Sequence, residues 1–147
     1  MIPRSGIMAF MLMVLIAGVA AKTGRQSESG GQAASPAGWQ LPQDADTKKS
    51  PLTVDANVLA AGKAVFKDKC ERCHGPAGIG DGPDADPDRR EEMDLTNPKR
   101  ADRNSDGVVF YKVWNGRRRP KMPAFKEELT EQQAWSVVAY AQTLRKK

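Results

Sequence analysis

Metal-ligating nitrogen and sulfur are scarce in this chain, which has two cysteines and one histidine among 147 residues. A structural zinc site takes four ligands of the Cys and His kinds, and these three residues do not supply them. Aromatic residues make up only 6% of the sequence and are not interleaved with Lys and Arg, so the formal net charge of +5 makes no case for nucleic acid. Nor does the apolar run Ile7 to Ala20 reach the ~20 residues that a membrane-spanning helix needs; it has 14. With Arg4 before it and Gly18-Val19-Ala20-Ala21 at its end, it has the basic start, short apolar centre and small-residue finish of a secretory signal peptide. Residues 1–21 are therefore expected to be a signal peptide, with an uncleaved anchor as the alternative. A parallel-strand pattern around the cysteines is also missing, which argues against a thioredoxin-like site.

Both cysteines and the single histidine fall within five consecutive residues, Cys70-Glu71-Arg72-Cys73-His74. C-x-x-C-H is the pattern of covalent c-type haem attachment. On a helical turn, positions i, i+3 and i+4 share one face. Two thiols then reach the two vinyl groups of one porphyrin edge while the imidazole turns towards the centre. The reading makes Cys70 and Cys73 thioether sulfurs of one haem c and His74 the proximal iron ligand. A plain disulfide between the cysteines would leave His74 unexplained. Export agrees with the motif, because c-type haem is generally attached outside the cytoplasm; the expected location is periplasmic, with membrane association only if residues 7–21 stay as an anchor.

Residues 22–54 are rich in Gly, Ser, Gln, Ala, Pro and Lys, with Trp39 and Leu41 the only large apolar residues before Leu52. Such a composition does not bury enough apolar surface to offset chain entropy, so the stretch is expected to be a disordered tether. Residues 55–147 then form the folded domain. Val58, Leu59, Gly62, Val65 and Phe66 recur at helical spacing, after Asp55 or Thr53 as N-cap. Gly62 in mid-helix costs ~1 kcal/mol against Ala, which suggests that another backbone or ring passes close by. Gly75 to Pro83 is too rich in Gly and Pro for a helix or central strand, and a carbonyl in this loop is the expected acceptor for the second ring nitrogen of His74. Asp84 to Asp94 carries six acidic residues against Arg89 and Arg90 and reads as a solvated loop, after which Leu95 is the first apolar residue able to return to the haem.

Asp102 to Gly107 matches the first half of an EF-hand loop, but Val113 stands where the bidentate Glu belongs. Ser105 or Asp106 is more simply the N-cap of a short helix, Val108 to Trp114, ending at Asn115-Gly116. Thr130-Glu131-Gln132-Gln133 is a capping box opening a helix whose apolar face includes Trp135, Val138, Ala139, Tyr140, Ala141 and Leu144. Its expected partner is the first helix: a close crossing at Gly62, with Phe66 against Tyr140 or Trp135, would account for the glycine and for this face. With no second histidine, a sixth iron ligand comes from Met, Lys, Tyr or water. Met122 is the candidate: it lies 48 residues after His74, and Pro123 holds its backbone extended. Met93 lies in the acidic run, close in sequence to His74.

Taken together, Gly62-x-x-x-Phe66-x-x-x-Cys70-x-x-Cys73-His74-Gly75, Gly82-Pro83, Asp94-Leu95-Thr96, Asn115-Gly116, Met122-Pro123-Ala124-Phe125 and Ala139-Tyr140-x-x-x-Leu144 resemble a class I mono-haem cytochrome c over Asp55 to Lys147. The resemblance implies an all-α cytochrome c fold, with three to five short helices around one covalent haem and the terminal helices crossing near Gly62. It also implies axial ligation by His74 and Met122 and acceptance of the His74 ring N–H by the Pro83 carbonyl. The run Arg117-Arg118-Arg119-Pro120-Lys121 departs from the family pattern. A haem with both axial positions filled points to one-electron transfer rather than catalysis, because iron has no open site. The basic run before Met122 favours redox partners with an acidic docking surface. The alternatives are a haem subunit of a larger oxidoreductase complex and a five-coordinate haem catalyst or gas sensor.

Overall fold

The structure, a computed structural model, describes residues 33–34 and 38–145. The expected signal peptide lies outside the described residues, as does most of the tether up to residue 37. Three longer helices carry the fold: α1 (Ala56–Lys69), α5 (Asp106–Asn115) and α6 (Glu131–Thr143). Between them come three single turns, α2 (Glu71–His74), α3 (Arg90–Met93) and α4 (Pro98–Ala101), and a 3-10 turn at Pro87–Arg89. A two-residue antiparallel pair, β1 (Ala33–Ala34) with β2 (Gln40–Leu41), matches Ala33 to Leu41 and Ala34 to Gln40. The fold is all-α in class, as expected.

Local chemistry sets the helix ends. Asp55 accepts a hydrogen bond from the Val58 N–H at 2.8 Å, capping α1, and Ser105 caps α5. At the start of α6 the Thr130 hydroxyl accepts from the Gln133 N–H while the Gln133 side chain accepts from the Thr130 N–H, satisfying donors that a helix start leaves without partners.

α1 and α6 cross at Gly62. A Cβ built there would lie 2.0 Å from the Ser136 carbonyl oxygen and 2.9 Å from the Tyr140 Cβ, so only glycine lets the two backbones approach this closely. One turn on, the Phe66 and Tyr140 rings meet with centroids 5.3 Å apart. On the other side of α6, Trp135 stacks on Phe110 of α5 at 4.3 Å. Five consecutive residues of α6, Ala134 to Val138, are buried, because the helix packs against both α1 and α5 and turns Val137 and Ala141 towards a cavity. The Ser136 hydroxyl donates to the Gln132 carbonyl at 2.9 Å, which meets its demand for a partner in the core.

The stretch from Trp39 to Leu52 differs from the expected tether, because it lies along α5. Trp39 is 6% and Ala45 3% exposed, and Leu52 packs against the core cluster. Tyr111 donates its hydroxyl hydrogen to Asp44 at 3.1–3.2 Å, and the Lys48 ammonium sits over the rings of Phe110 and Tyr111. A Cβ at Gly107 would come within 2.2 Å of the Ala45 carbonyl oxygen, so this glycine admits the strap. Composition averaged over residues 22–54 hides a short segment whose contacts come from one large ring and a few small or charged side chains.

Candidate cofactor site

α1 ends at Cys70, and the next turn carries Cys73 and His74. The Cys73 and His74 N–H groups both donate to the Cys70 carbonyl, at 3.2 and 2.9 Å, so the three reactive side chains share one helical turn, as the i, i+3, i+4 spacing requires. The thiols are not joined to each other. Burial, and then the negative charge of Cys73, Asp68 and Glu71, pushes the Cys70 thiol up to about 12. That is opposite to the lowered thiol of a disulfide-exchange site. All three side chains line a cavity of about 350 Å³, whose apolar walls include Phe66, Val109, Val113, Phe125 and Val137.

His74 is fixed by its ring. Nδ1 lies 2.7 Å from the Met93 carbonyl oxygen. A carbonyl only accepts, so Nδ1 carries the hydrogen and Nε2 is left with its lone pair. Burial lowers the His74 pKa, against the opposing effect of the Met93 hydrogen bond, which favours the neutral, metal-binding imidazole. This acceptor corrects the expectation of Pro83. Residues 82–84 pack on the backbone of α2 instead. A Cβ at Gly82 would meet the Arg72 and Glu71 carbonyl oxygens at 2.3 and 2.4 Å, the Asp84 N–H donates to the Arg72 carbonyl at 2.7 Å, and Asp84 pairs with Arg72. Met93 closes α3, and a carbonyl in the last turn of a helix has no intrahelical partner, so it is free to serve the imidazole. The acidic stretch before it is exposed as expected, but it is partly helical.

Leu95, whose N–H donates to the Gly78 carbonyl at 2.7 Å, lines the same cavity, as do both methionines of the described residues, Met93 and Met122. The two arrive differently. Met93 presents its backbone to the ring of His74. Met122 closes a hairpin, with paired backbone hydrogen bonds to Arg117 of 2.9 and 3.0 Å. Its tip carries Arg118, Arg119 and Lys121, all exposed. Arg117 turns inward: its side chain is 7% exposed, donates to Glu92 at 2.7 Å, and lies 4.4 Å from the centre of the Trp39 ring. The Arg117 guanidinium holds the Glu92 carboxyl below its usual range.

Cationic lining residues form a part of the cavity that the sequence did not signal. Arg100 and Lys112 come from α4 and α5, and Arg145 follows the end of α6, with the Lys112 ammonium 5.2 Å from the Trp39 ring centre. They are distant in sequence, and no pattern linked them. The donor set fits a haem: two thiols and an imidazole with a free nitrogen on one turn, a thioether on a separate hairpin, and apolar walls between.

The cytochrome c family model matches residues 59–145, more than half of the chain. No curated protein matches. Among solved structures, the chain is similar to one from a Kuenenia stuttgartiensis reducing HAO-like protein complex, Kustc0457/Kustc0458, at 20% identity and a TM-score of 0.53, over 78% of this chain and 69% of that one. The KustC0563 c-type cytochrome matches at 22% identity and a TM-score of 0.48, over 58% of this chain and 98% of that one. Cytochrome cL of Methylophaga aminisulfidivorans MPT matches at 23% identity and a TM-score of 0.46, over 61% and 57%. With the motif turn, the crossed terminal helices and the family match in agreement, the chain belongs to the cytochrome c family and carries a covalently bound haem c.

Proposed function

We propose that the protein is a one-electron carrier in an extracytoplasmic chain, with thioether links at Cys70 and Cys73 and axial ligation by His74 and Met122. The observation that carries the reading is the arrangement of the two axial candidates. His74 commits Nδ1 to the Met93 carbonyl, leaving Nε2 for iron. Met122 lines the same cavity from a hairpin with its backbone paired both ways. Met93, whose carbonyl already serves the His74 ring, belongs to the imidazole side, so Met122 is the candidate for the other. His74 and Met122 would hold a haem iron between nitrogen and sulfur, and the group would supply one-electron ferric/ferrous exchange at a raised potential. With these two residues in both positions, no open site would remain at which a bond in a substrate could be made or broken.

Leu95, Val113 and Phe125 supply apolar walls that exclude water and limit reorganisation. Partner choice falls to the surface. Arg118, Arg119 and Lys121 at the hairpin tip favour an acidic docking face on a redox partner, while Arg117 serves the interior. Among the described residues no helix is long and apolar enough to cross a membrane; an exported protein with its apolar N-terminal run removed, or retained as an anchor, accords with this reading. Reduction by an acidic electron-donor protein is expected to be a one-electron process that slows about tenfold from low to high salt, as screened encounter predicts. Stopped-flow kinetics across ionic strength measures this, and a rate indifferent to salt removes the docking role.

A further inference from the structure

Apart from Lys121, which is exposed at the hairpin tip, the cations lining the cavity fall into two groups. Lys69, Arg89 and Arg117 each hold a carboxylate, through Glu128 at 3.0 Å and Glu92 at 2.9 and 2.7 Å. Arg100, Lys112 and Arg145 do not: among the described residues no carboxylate lies within salt-bridge distance of them. Their hydrogen bonds go to neutral oxygens. Arg100 donates to the Glu91 carbonyl at 3.0 Å, Lys112 to the Asn104 side chain and Arg145 to the Asn104 carbonyl. Burial, then the like charges of Arg100, Arg117 and Arg103, pushes the Lys112 ammonium down to about 8. Arg100, Lys112 and Arg145 are each half-buried, and like charges gathered where water is partly excluded are costly unless an anion joins them.

A haem brings two such anions. Its propionates leave the porphyrin on the edge opposite the two vinyl groups, and the rest of its rim is apolar. The vinyl edge belongs to Cys70 and Cys73 at the end of α1 and in α2, whereas Arg100 and Lys112 sit on α4 and α5 and Arg145 just past α6, where Asp106 and Asp102 reach it only through their charge. Against Lys112 lies Trp39, 6% exposed, its ring contacted by Lys112 and Arg117. The strap from Trp39 to Leu52 precedes every residue that the family model matches.

We propose that Lys112, with Arg100 and Arg145, is the binding site for the haem propionates, and that Trp39 closes this site, so that the strap is part of the cofactor pocket rather than a linker to it. The proposal rests on covalent haem and not on Met122 being a ligand. Trp39 shields Lys112 from water, which strengthens its attraction for a carboxylate, and Asn104 orients Lys112 and Arg145 together.

The test uses the full chain matured with haem attached, in the variants Lys112→Met, Lys112→Arg and Trp39→Ala, with Lys63→Met on the exposed face of α1 as a charge-matched control. Resonance Raman reads the propionate bending bands, and potentiometry reads the midpoint. Lys112→Met is expected to shift the propionate bands and to lower the midpoint more than Lys63→Met does, because a lost cation favours ferric haem. Lys112→Arg retains wild-type bands, and Trp39→Ala shifts them. Wild-type bands in Lys112→Met overturn the assignment of the site, and wild-type bands in Trp39→Ala overturn the part given to the strap. The spin-state marker bands in the same spectra report ligation separately, so a failure of the His74/Met122 reading is distinguishable.

Discussion

Gly62→Ala is expected to destabilise the haem-loaded protein by about 2–3 kcal/mol, although alanine is the better helix former. Propensity alone predicts a gain of up to ~1 kcal/mol for this change. Against it stands a new methyl 2.0 Å from the Ser136 carbonyl oxygen. Backbone on both sides of the contact gives way only by separating α1 from α6, and overpacking of this kind costs ~1–3 kcal/mol or more. Separation also loosens Phe66 from Tyr140 and the end of α1 on which Cys70 sits. Sterics therefore outweigh propensity. A melting curve followed by circular dichroism is expected to show Tm lower by about 10 °C or more, using ~4–8 °C per kcal/mol for a domain of this size. An unchanged or raised Tm would mean that the two helices cross farther apart than described.

Met122→Ala has the larger functional effect. The thioether is the only distal donor that the proposed ligation assigns, and its loss leaves iron with water or an empty position. We expect a high-spin component in the ferric state and a fall in midpoint potential on the order of 0.1 V, a fraction of the ~0.8 V range over which axial ligands set haem potentials. Met93→Ala is the instructive partner. The group that Met93 gives to His74 is its backbone carbonyl, which alanine also has, so the low-spin spectrum and the potential are expected to stay near wild type. Potentiometry with optical detection on both variants separates the two methionines. If Met93→Ala and not Met122→Ala loses the low-spin state, the distal assignment is reversed.

How legible these features were in the sequence follows from how each is encoded. Cys70, Cys73 and His74 fall within five residues and use both cysteines and the one histidine, so their joint purpose needed no tertiary information. The cap at Thr130 was equally readable, because capping is a local matter of side-chain oxygen and nearby N–H, whereas the other two were narrowed only to Asp55 or Thr53 and to Ser105 or Asp106, of which Asp55 and Ser105 serve. Gly62 was readable as an anomaly, a poor helix former inside a good helix. The acceptor for His74 was not, since a backbone carbonyl has no residue-type signature and Pro83 and Met93 offer the same atom. The charge run 117–121 was legible as a run but not in its directions: Arg117 turns inward to Glu92 and Trp39, while Arg118 and Arg119 face water. Trp39 was hidden because one large ring among polar residues looks the same exposed as buried until α5 is laid beside it.

The most direct measurement of the central claim is the ferric absorption spectrum of the wild-type protein after haem attachment. Ligation by His74 and Met122 predicts a low-spin spectrum with the weak sulfur-to-iron band at its red end. A high-spin ferric spectrum without that band would contradict the account, leaving iron open for a ligand and the protein suited to catalysis or gas binding rather than to carrying electrons.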